Sequence, residues 1–131
     1  MATEIPIVTQ SFIAGADLSA KQGYFVKLSG STRRTVVVCS ANTDIPVGVL
    51  LNSPASGEMA TVGSLGQFKI SGDANLACND RIGTSADGQA AAYVAGTDTP
   101  KYIVGYVLDE NTTAGGLISA WINCISPARG A

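Results

Sequence analysis

LISAWINCI, residues 117 to 125, is the stretch that decides the fold. Successive side chains of a β-strand point to opposite faces, and this run alternates with that period. One face is apolar, with Ile118, Ala120, Ile122 and Cys124, and we expect it to be buried. The other face is mixed and carries Trp121, which is either a satellite core residue or the anchor of an interface.

The same signature recurs along the chain, while helix signals are almost absent. Short runs rich in Val, Ile, Tyr and Phe alternate with clusters of Gly, Asn, Asp, Ser and Thr. They predict further strands at 24–28, 35–39, 47–51, 59–62, 66–70, 81–84, 90–94 and 102–108. Many short strands at this spacing are typical of an all-β protein, here a compact antiparallel β-sandwich or β-barrel.

The two ends of the chain differ from this body, which we place at residues 15–125. Residues 1–14 are extended and apolar, carry Pro6 and precede Gly15. They are predicted to form an N-terminal arm whose side chains Ile5, Pro6, Ile7, Val8 and Phe12 bind a partner, because an extended segment can pair with another chain's sheet edge. Alternatively, the segment is the first strand of the body. Residues 126–131 have no periodicity and are predicted to be a loose tail.

The composition indicates a surface that is covered by other molecules. At 131 residues the chain fits one domain, and 14% of its residues are charged while 46% are apolar. A typical globular protein has roughly 25% charged residues. Interfaces deplete charge at their centres, so scarce charge favours a protein that oligomerises or docks.

Charge and hydropathy also argue against nucleic acid and membranes as partners. A net charge of −2 with scattered Lys and Arg gives no basis for nucleic-acid binding, and the pair Arg33-Arg34 is predicted to be a solvated turn. Apolar runs are too short for a membrane helix. The N-terminus lacks a secretory signal, so we expect synthesis in the cytoplasm and no membrane partner.

The residue inventory argues against catalysis. The chain contains no histidine, which removes the commonest general base and histidine metal sites. Asp73, Asp80, Asp87 and Asp98 lie in turn-like contexts, where aspartate bonds its own backbone. Three cysteines far apart predict neither a disulfide framework nor a metal site. We therefore expect no enzymatic activity, no cofactor and no metal.

An ordered series of segments resembles the decoration (cement) proteins of tailed-phage capsids, a DUF2190-like family. Its clearest element is DIPVGVL at 44–50. The others, in order, are IAGADL at 13–18, GYFVKL at 23–28, GEMATV at 57–62, GQFKI at 66–70, GD at 72–73, DRIGT at 80–84, DGQA at 87–90 and YIVGYVL at 102–108. The series covers nearly the whole body.

The resemblance implies a structural virion protein on the outer surface of an assembled phage head. It would be a homotrimer that binds the major capsid protein and stabilises the contacts between capsid subunits. The alternative, from a different class, is a carbohydrate-binding or adhesion module of a virion fibre, since β-sandwiches often host sugar sites. Such sites usually need exposed aromatic rings, whereas most aromatic residues here lie within predicted strands.

Overall fold

The computed structural model describes residues 4–30, 33–73, 76–94, 96–98, 100–109 and 116–129, without the side chain of Arg129. This part of the chain is built from strands and contains no helix of the length and apolarity needed to cross a membrane. The strands are β1 Ile5–Ala14, β2 Phe25–Leu28, β3 Thr35–Val38, β4 Gly48–Leu50, β5 Met59–Ser71, β6 Arg81–Thr84, β7 Ala90–Ala92, β8 Tyr102–Ile103, β9 Gly105–Asp109, β10 Leu117–Asn123 and β11 Ala128–Arg129. The predicted all-β class is confirmed.

The first five strands close into a small barrel, in the order β1-β3-β2-β4-β5 and back to β1. Two pairings of β1 complete the ring. It runs antiparallel to β5 from Ile5 to Ile13, and parallel to β3 at Ile13 and Ala14. The barrel is therefore closed at the carboxyl end of β1, where the strand lies between β3 and β5. The amino-terminal part of β1 pairs with β5.

The remaining strands extend the sheet from the second half of β5. That half pairs with β10, which is followed by β9, β6 and β7. Strands β6 and β7 form a hairpin whose turn contains Gly88 with a φ of 83°, as the Asp87-Gly88 signal predicts. We call the sheet from β10 to β7 the extension.

Two apolar clusters form the core, and β2 and β4 have one face in each. Phe25 and Val49 point into the cluster of the extension, while their neighbours Val26 and Leu50 point into the barrel. The extension's cluster contains the predicted core face of β10, namely Ile118, Ala120, Ile122 and Cys124. Ser119 on the opposite face is buried as well, which the alternation does not predict.

Two strand boundaries differ from the prediction. One of them is lost because a glycine allows pairing to continue through it. Residues 59–62 and 66–70 belong to the single strand β5, in which Gly66 has a φ of 138°. A Cβ atom at Gly66 would lie 2.6 Å from the Ile5 carbonyl oxygen, so the close approach of β1 requires glycine. Residues 102–108 are instead divided into β8 and β9.

The described residues near both chain ends pair as strands, which the prediction did not favour. Residues 5–14 are not separate from the body but form β1, the alternative left open above, because main-chain pairing with β5 places them in the sheet. The predicted loose tail is corrected at residues 128 and 129, which pair as β11 with β8. Residues 1–3, 130 and 131 lie outside the described residues.

Candidate docking surface

The predicted binding side chains of β1 divide into an exposed group and a buried residue. Ile5 and Ile7 are 59% and 58% exposed, and Pro6 is exposed between them. Val8 is half-buried. Exposed aliphatic side chains this close together leave apolar surface in water, which favours a partner. We call Ile5 to Val8 the apolar end of β1.

Phe12 does not belong to that surface. It is 4% exposed and lies in the barrel cluster, because its position in β1 points inward. The guanidinium carbon of Arg34 lies 4.7 Å from the centre of its ring. Arg34 also donates from Nη2 to the Ser11 carbonyl oxygen at 2.7 Å. The Arg33-Arg34 pair does form an exposed turn, and Arg34 additionally covers the core beside β1.

Trp121 lies in a row of cross-strand neighbours on the outer face of the sheet. Gln67 and Tyr106 are its direct partners on the two adjacent strands. Beyond them the row continues to Ile5 on β1 and to Arg81 on β6. Directly opposite residues point to the same face, so these five side chains line one surface across the molecule. We call it the aromatic row.

The rings of the aromatic row are partly accessible. Trp121 is half-buried and Tyr106 is 37% exposed. The Arg81 guanidinium carbon lies 5.3 Å from the centre of the Tyr106 ring, and Arg81 Nη1 donates to the carbonyl and side-chain oxygens of Asn79. These contacts orient the guanidinium over the ring, and Arg, Tyr and Trp are the residue types enriched at binding hot spots.

An open hollow of about 500 Å³ lies on the barrel beside β2, lined by apolar side chains that include Leu28 and Ile45, which are about half exposed. On its rim, Lys27 Nζ and Asp44 Oδ2 are 2.9 Å apart. Burial raises the pKa of Asp44, but hydrogen bonds from Lys27 and from the Ser40 and Ala41 amides outweigh it and hold the pKa below its usual value. The Asp44 carboxylate therefore bonds the amides of its own loop and the Lys27 ammonium group.

Two of the four candidate aspartates, Asp80 and Asp98, bond the backbone of their own turns. Asp80 accepts a bond from the Ala77 amide, and Asp98 accepts one from the Val94 amide while pairing with Lys101 at 2.8 Å. Among the described residues, no three His, Cys, Asp or Glu side chains come together as metal ligands. Burial raises the pKa of the Cys39 thiol to about 12 and also raises that of Cys124. Both thiols belong to the core of the extension.

Sequence reasoning singled out Trp121 and the apolar end of β1 as candidates but did not name their cross-strand neighbours. Tyr106 and Arg81 come from strands that are distant along the chain. The local alternation places Tyr106 on a strand, yet it carries no signal about which strand lies opposite. Pairing is decided by register across the sheet, which local periodicity does not contain.

Comparison with known proteins identifies a solved structure with a similar fold. No family model matches the chain, and no curated protein matches it, so the family resemblance stated from sequence gains no support there. Among solved structures, the chain is similar to the N base of the head fiber gp8.5 of bacteriophage phi29. The TM-score is 0.68 at 18% identity, over 89% of this chain and 94% of that one. At this identity, the likeness shows that the two chains share a fold.

Proposed function

We propose that the protein is a non-enzymatic structural component of a phage virion that decorates the outside of the assembled head. In this role it binds the major capsid protein and stabilises the contacts between capsid subunits. The partner surface includes the apolar end of β1, where Ile5 and Ile7 are exposed. Trp121, in the aromatic row, is a second candidate anchor.

The fold likeness to a phage head fiber base is the observation that carries the proposal. It extends over nearly the whole of both chains, so it concerns the complete described architecture rather than one hairpin. Fold alone does not determine function. The ordered sequence pattern independently favours a phage head protein, and scarce charge favours a protein that docks or oligomerises.

The proposed mechanism is multivalent clamping by a trimer. A single contact through a few aliphatic side chains buries little area and binds weakly. Three such contacts in one assembly bind far more tightly, because after the first contact the others form at high effective concentration. Rupture of the shell then requires the loss of several contacts together.

The test is the heat resistance of empty, expanded heads from the virus that encodes the protein. We expect added protein to bind the heads and to raise the temperature at which they rupture, measured by light scattering and electron microscopy. The double change Ile5→Ser with Ile7→Ser should weaken binding by about tenfold or more, since each buried aliphatic side chain contributes about 1.5–3 kcal/mol.

Val94→Ser is the matched control. Val94 is 54% exposed and follows β7 at the far end of the sheet order, so the change removes an aliphatic side chain away from β1. It should leave binding unchanged. Heads whose rupture temperature does not rise with the wild-type protein would exclude the cement function. Light scattering of the free and shell-bound protein gives the oligomeric state, and a monomer in both would exclude the trimer.

A second candidate function is supported by the aromatic row. Accessible aromatic rings flanked by Gln67 and Arg81 provide an apolar stacking surface together with hydrogen-bonding groups, which is the chemistry that a sugar ring needs. The protein would then be a carbohydrate-binding or adhesion module of a virion fibre. The head fiber assignment of the similar structure is compatible with this candidate.

Tryptophan fluorescence separates the two candidates, because the chain contains a single tryptophan. A sugar stacked on the aromatic row should change the emission of Trp121 in a saturable manner when host surface polysaccharide is added. The variant Tyr106→Ala should abolish this change, while Tyr24→Ala should not. A flat titration with the wild-type protein would leave capsid decoration as the surviving candidate.

A further inference from the structure

Arg81 stands at one end of the aromatic row as an exposed cation. Within the described part of the chain it has no carboxylate partner, since the ion pairs there involve other cations. Its hydrogen bonds to described residues are both donated by Nη1, to the carbonyl oxygen and Oδ1 of Asn79 at 3.0 and 3.1 Å. The Nε and Nη2 donors form the other side of the guanidinium, and such a fork holds the two oxygens of one carboxylate.

The guanidinium is held in place by its neighbours. Asn79 has a left-handed backbone with a φ of 71°, which is uncommon outside glycine, and both of its oxygens accept from Arg81. The Asn79 amide donates to the Val107 carbonyl oxygen at 2.8 Å, which fixes this turn to β9. Tyr106 on the same strand supplies the ring 5.3 Å from the guanidinium carbon. A donor that is already fixed loses less conformational freedom on binding.

Arg81 also determines the charge of this face. It is the only charged residue of the aromatic row. The next row on the same face crosses β10 at Ser119, two residues from Trp121, and carries Lys69 on β5 and Asp109 on β9. Those two charges cancel in sum. Among the described residues, the two rows together therefore present one net positive charge, which favours an anionic ligand.

The shape of the row favours an elongated ligand. Its five positions lie on the successive strands β1, β5, β10, β9 and β6, and neighbouring strands are about 4.8 Å apart, so the row is about 19 Å long. Two aromatic rings lie toward its middle, with the Gln67 amide on one side and the Arg81 guanidinium on the other. Rings of this kind pack on the apolar faces of sugars, while amide and guanidinium groups bond hydroxyl and acid groups. The row thus matches several consecutive units of a polysaccharide.

A second copy of the chain does not supply the missing negative charge through this face. Two copies that met row against row about a two-fold axis would place Arg81 opposite either Ile5 or the Arg81 of the other copy. Neither arrangement provides a carboxylate, and a buried cation without a partner is costly. The proposed capsid contact at the apolar end of β1 lies at the opposite end of the row and does not require Arg81.

We infer that the part of the aromatic row formed by Trp121, Tyr106 and Arg81 binds a polysaccharide whose sugar rings carry carboxylate groups. The inference rests on the second candidate function and names its ligand class. Successive sugar rings lie over Trp121 and Tyr106, and Nε and Nη2 of Arg81 hold a carboxylate. A carboxylate borne by the ring itself stays within about one strand spacing, about 5 Å, of the stacked ring.

The emission of Trp121 provides the test on the wild-type protein. The probes are an oligogalacturonate of about five units, which spans the row, and the same oligosaccharide after chemical reduction of its carboxyl groups to alcohols. We expect the acidic form to bind at least about tenfold more tightly, because hydrogen bonds between charged partners are the stronger ones. Raising the salt concentration from about 0.05 M to about 0.5 M should remove most of this preference.

Substitution of Arg81 provides the second measurement. Arg81→Gln should weaken binding of the acidic form by about tenfold or more and abolish the preference for it. Arg33→Gln is the matched control, since it removes the same charge from an exposed turn next to β3, at the carboxyl end of β1. It should retain the preference. Circular dichroism verifies folding, and the salt dependence of the wild type decides the matter should Arg81→Gln fail to fold.

The outcomes separate this inference from the carbohydrate candidate. Equal affinity of the wild type for both forms, or a preference that survives Arg81→Gln, overturns carboxylate recognition and leaves a neutral sugar as the ligand. Binding of polyglutamate or of poly(glycerol phosphate) as tight as that of oligogalacturonate overturns the sugar-borne carboxylate, since negative charge alone then suffices. Emission of ligand-free protein that changes with its concentration, in the wild type but not in Arg81→Gln, assigns the surface to a second copy. Wild-type protein that binds neither form overturns the inference, and the titration with host polysaccharide then decides the carbohydrate candidate separately.

Discussion

Removal of residues 1–12 is expected to unfold the barrel, with loss of the cooperative thermal transition. The deletion removes most of β1, which pairs along β5 from Ile5 to Ile13. It also removes Phe12, which is 4% exposed in the barrel cluster. Truncation of a buried Phe costs about 3–5 kcal/mol by itself, and the whole stability of a domain is about 5–15 kcal/mol.

Thermal unfolding followed by circular dichroism checks this expectation. The control is the double change Ile5→Ser with Ile7→Ser, which keeps β1 and alters two exposed side chains. Its midpoint should stay within about 3 °C of the wild type, because exposed substitutions typically change stability little. A truncated protein that melts cooperatively near the wild-type midpoint would show that residues 1–12 are a separable arm after all.

The second large effect is expected from Gly105→Ala in the centre of the extension. Gly105 pairs with Ile122 on β10 and with Ile82 on β6. A Cβ atom there would lie 2.0 Å from the Trp121 carbonyl oxygen and 3.0 Å from the Trp121 carbonyl carbon. Backbone atoms in the middle of a sheet have little room to move aside. We expect a loss of about 3 kcal/mol or more, at the upper end of the cost of overpacking.

Gly30→Ala is the matched control for this change. Gly30 has a φ of 83°, and a Cβ atom there would meet nothing within 4 Å. Its substitution should cost about 1 kcal/mol, from the left-handed backbone alone. Denaturant unfolding gives both free energies. Equal losses for the two variants would show that the sheet at Gly105 shifts without strain and that the close approach of Trp121 is not limiting.

Much of the fold follows from local patterns. The alternation of 117–125 predicts the buried face of β10, and the predicted strand at 81–84 coincides with β6. The Asp87-Gly88 turn also follows, because a left-handed glycine beside a β-run specifies a hairpin over a few residues. These features depend on neighbours along the chain, so the sequence carries them directly.

The role of the N-terminal segment could not be predicted in the same way. An apolar extended run with a proline is compatible with the predicted arm and also with the alternative, the first strand of the body. Gly66 decides between them in the structure, because its missing side chain admits the main chain of Ile5 and Pro6 against β5. In the sequence that glycine reads as a break between two strands. The contact between Gly66 and the main chain of β1 is recognised only when β1 and β5 lie side by side in the structure.

For the candidate surface, too, some features follow from the sequence and others only from the tertiary structure. The sequence by itself determined that the protein is all-β and that Cys124 lies on a buried face, and it singled out Ile5, Ile7 and Trp121 as candidate contact residues. Only the tertiary structure decided that Phe12 is buried and that Tyr106 and then Arg81 follow Trp121 across the sheet. The physical reason is that side-chain alternation has a local period, whereas the pairing partner and free edge of each strand depend on contacts between distant parts of the chain.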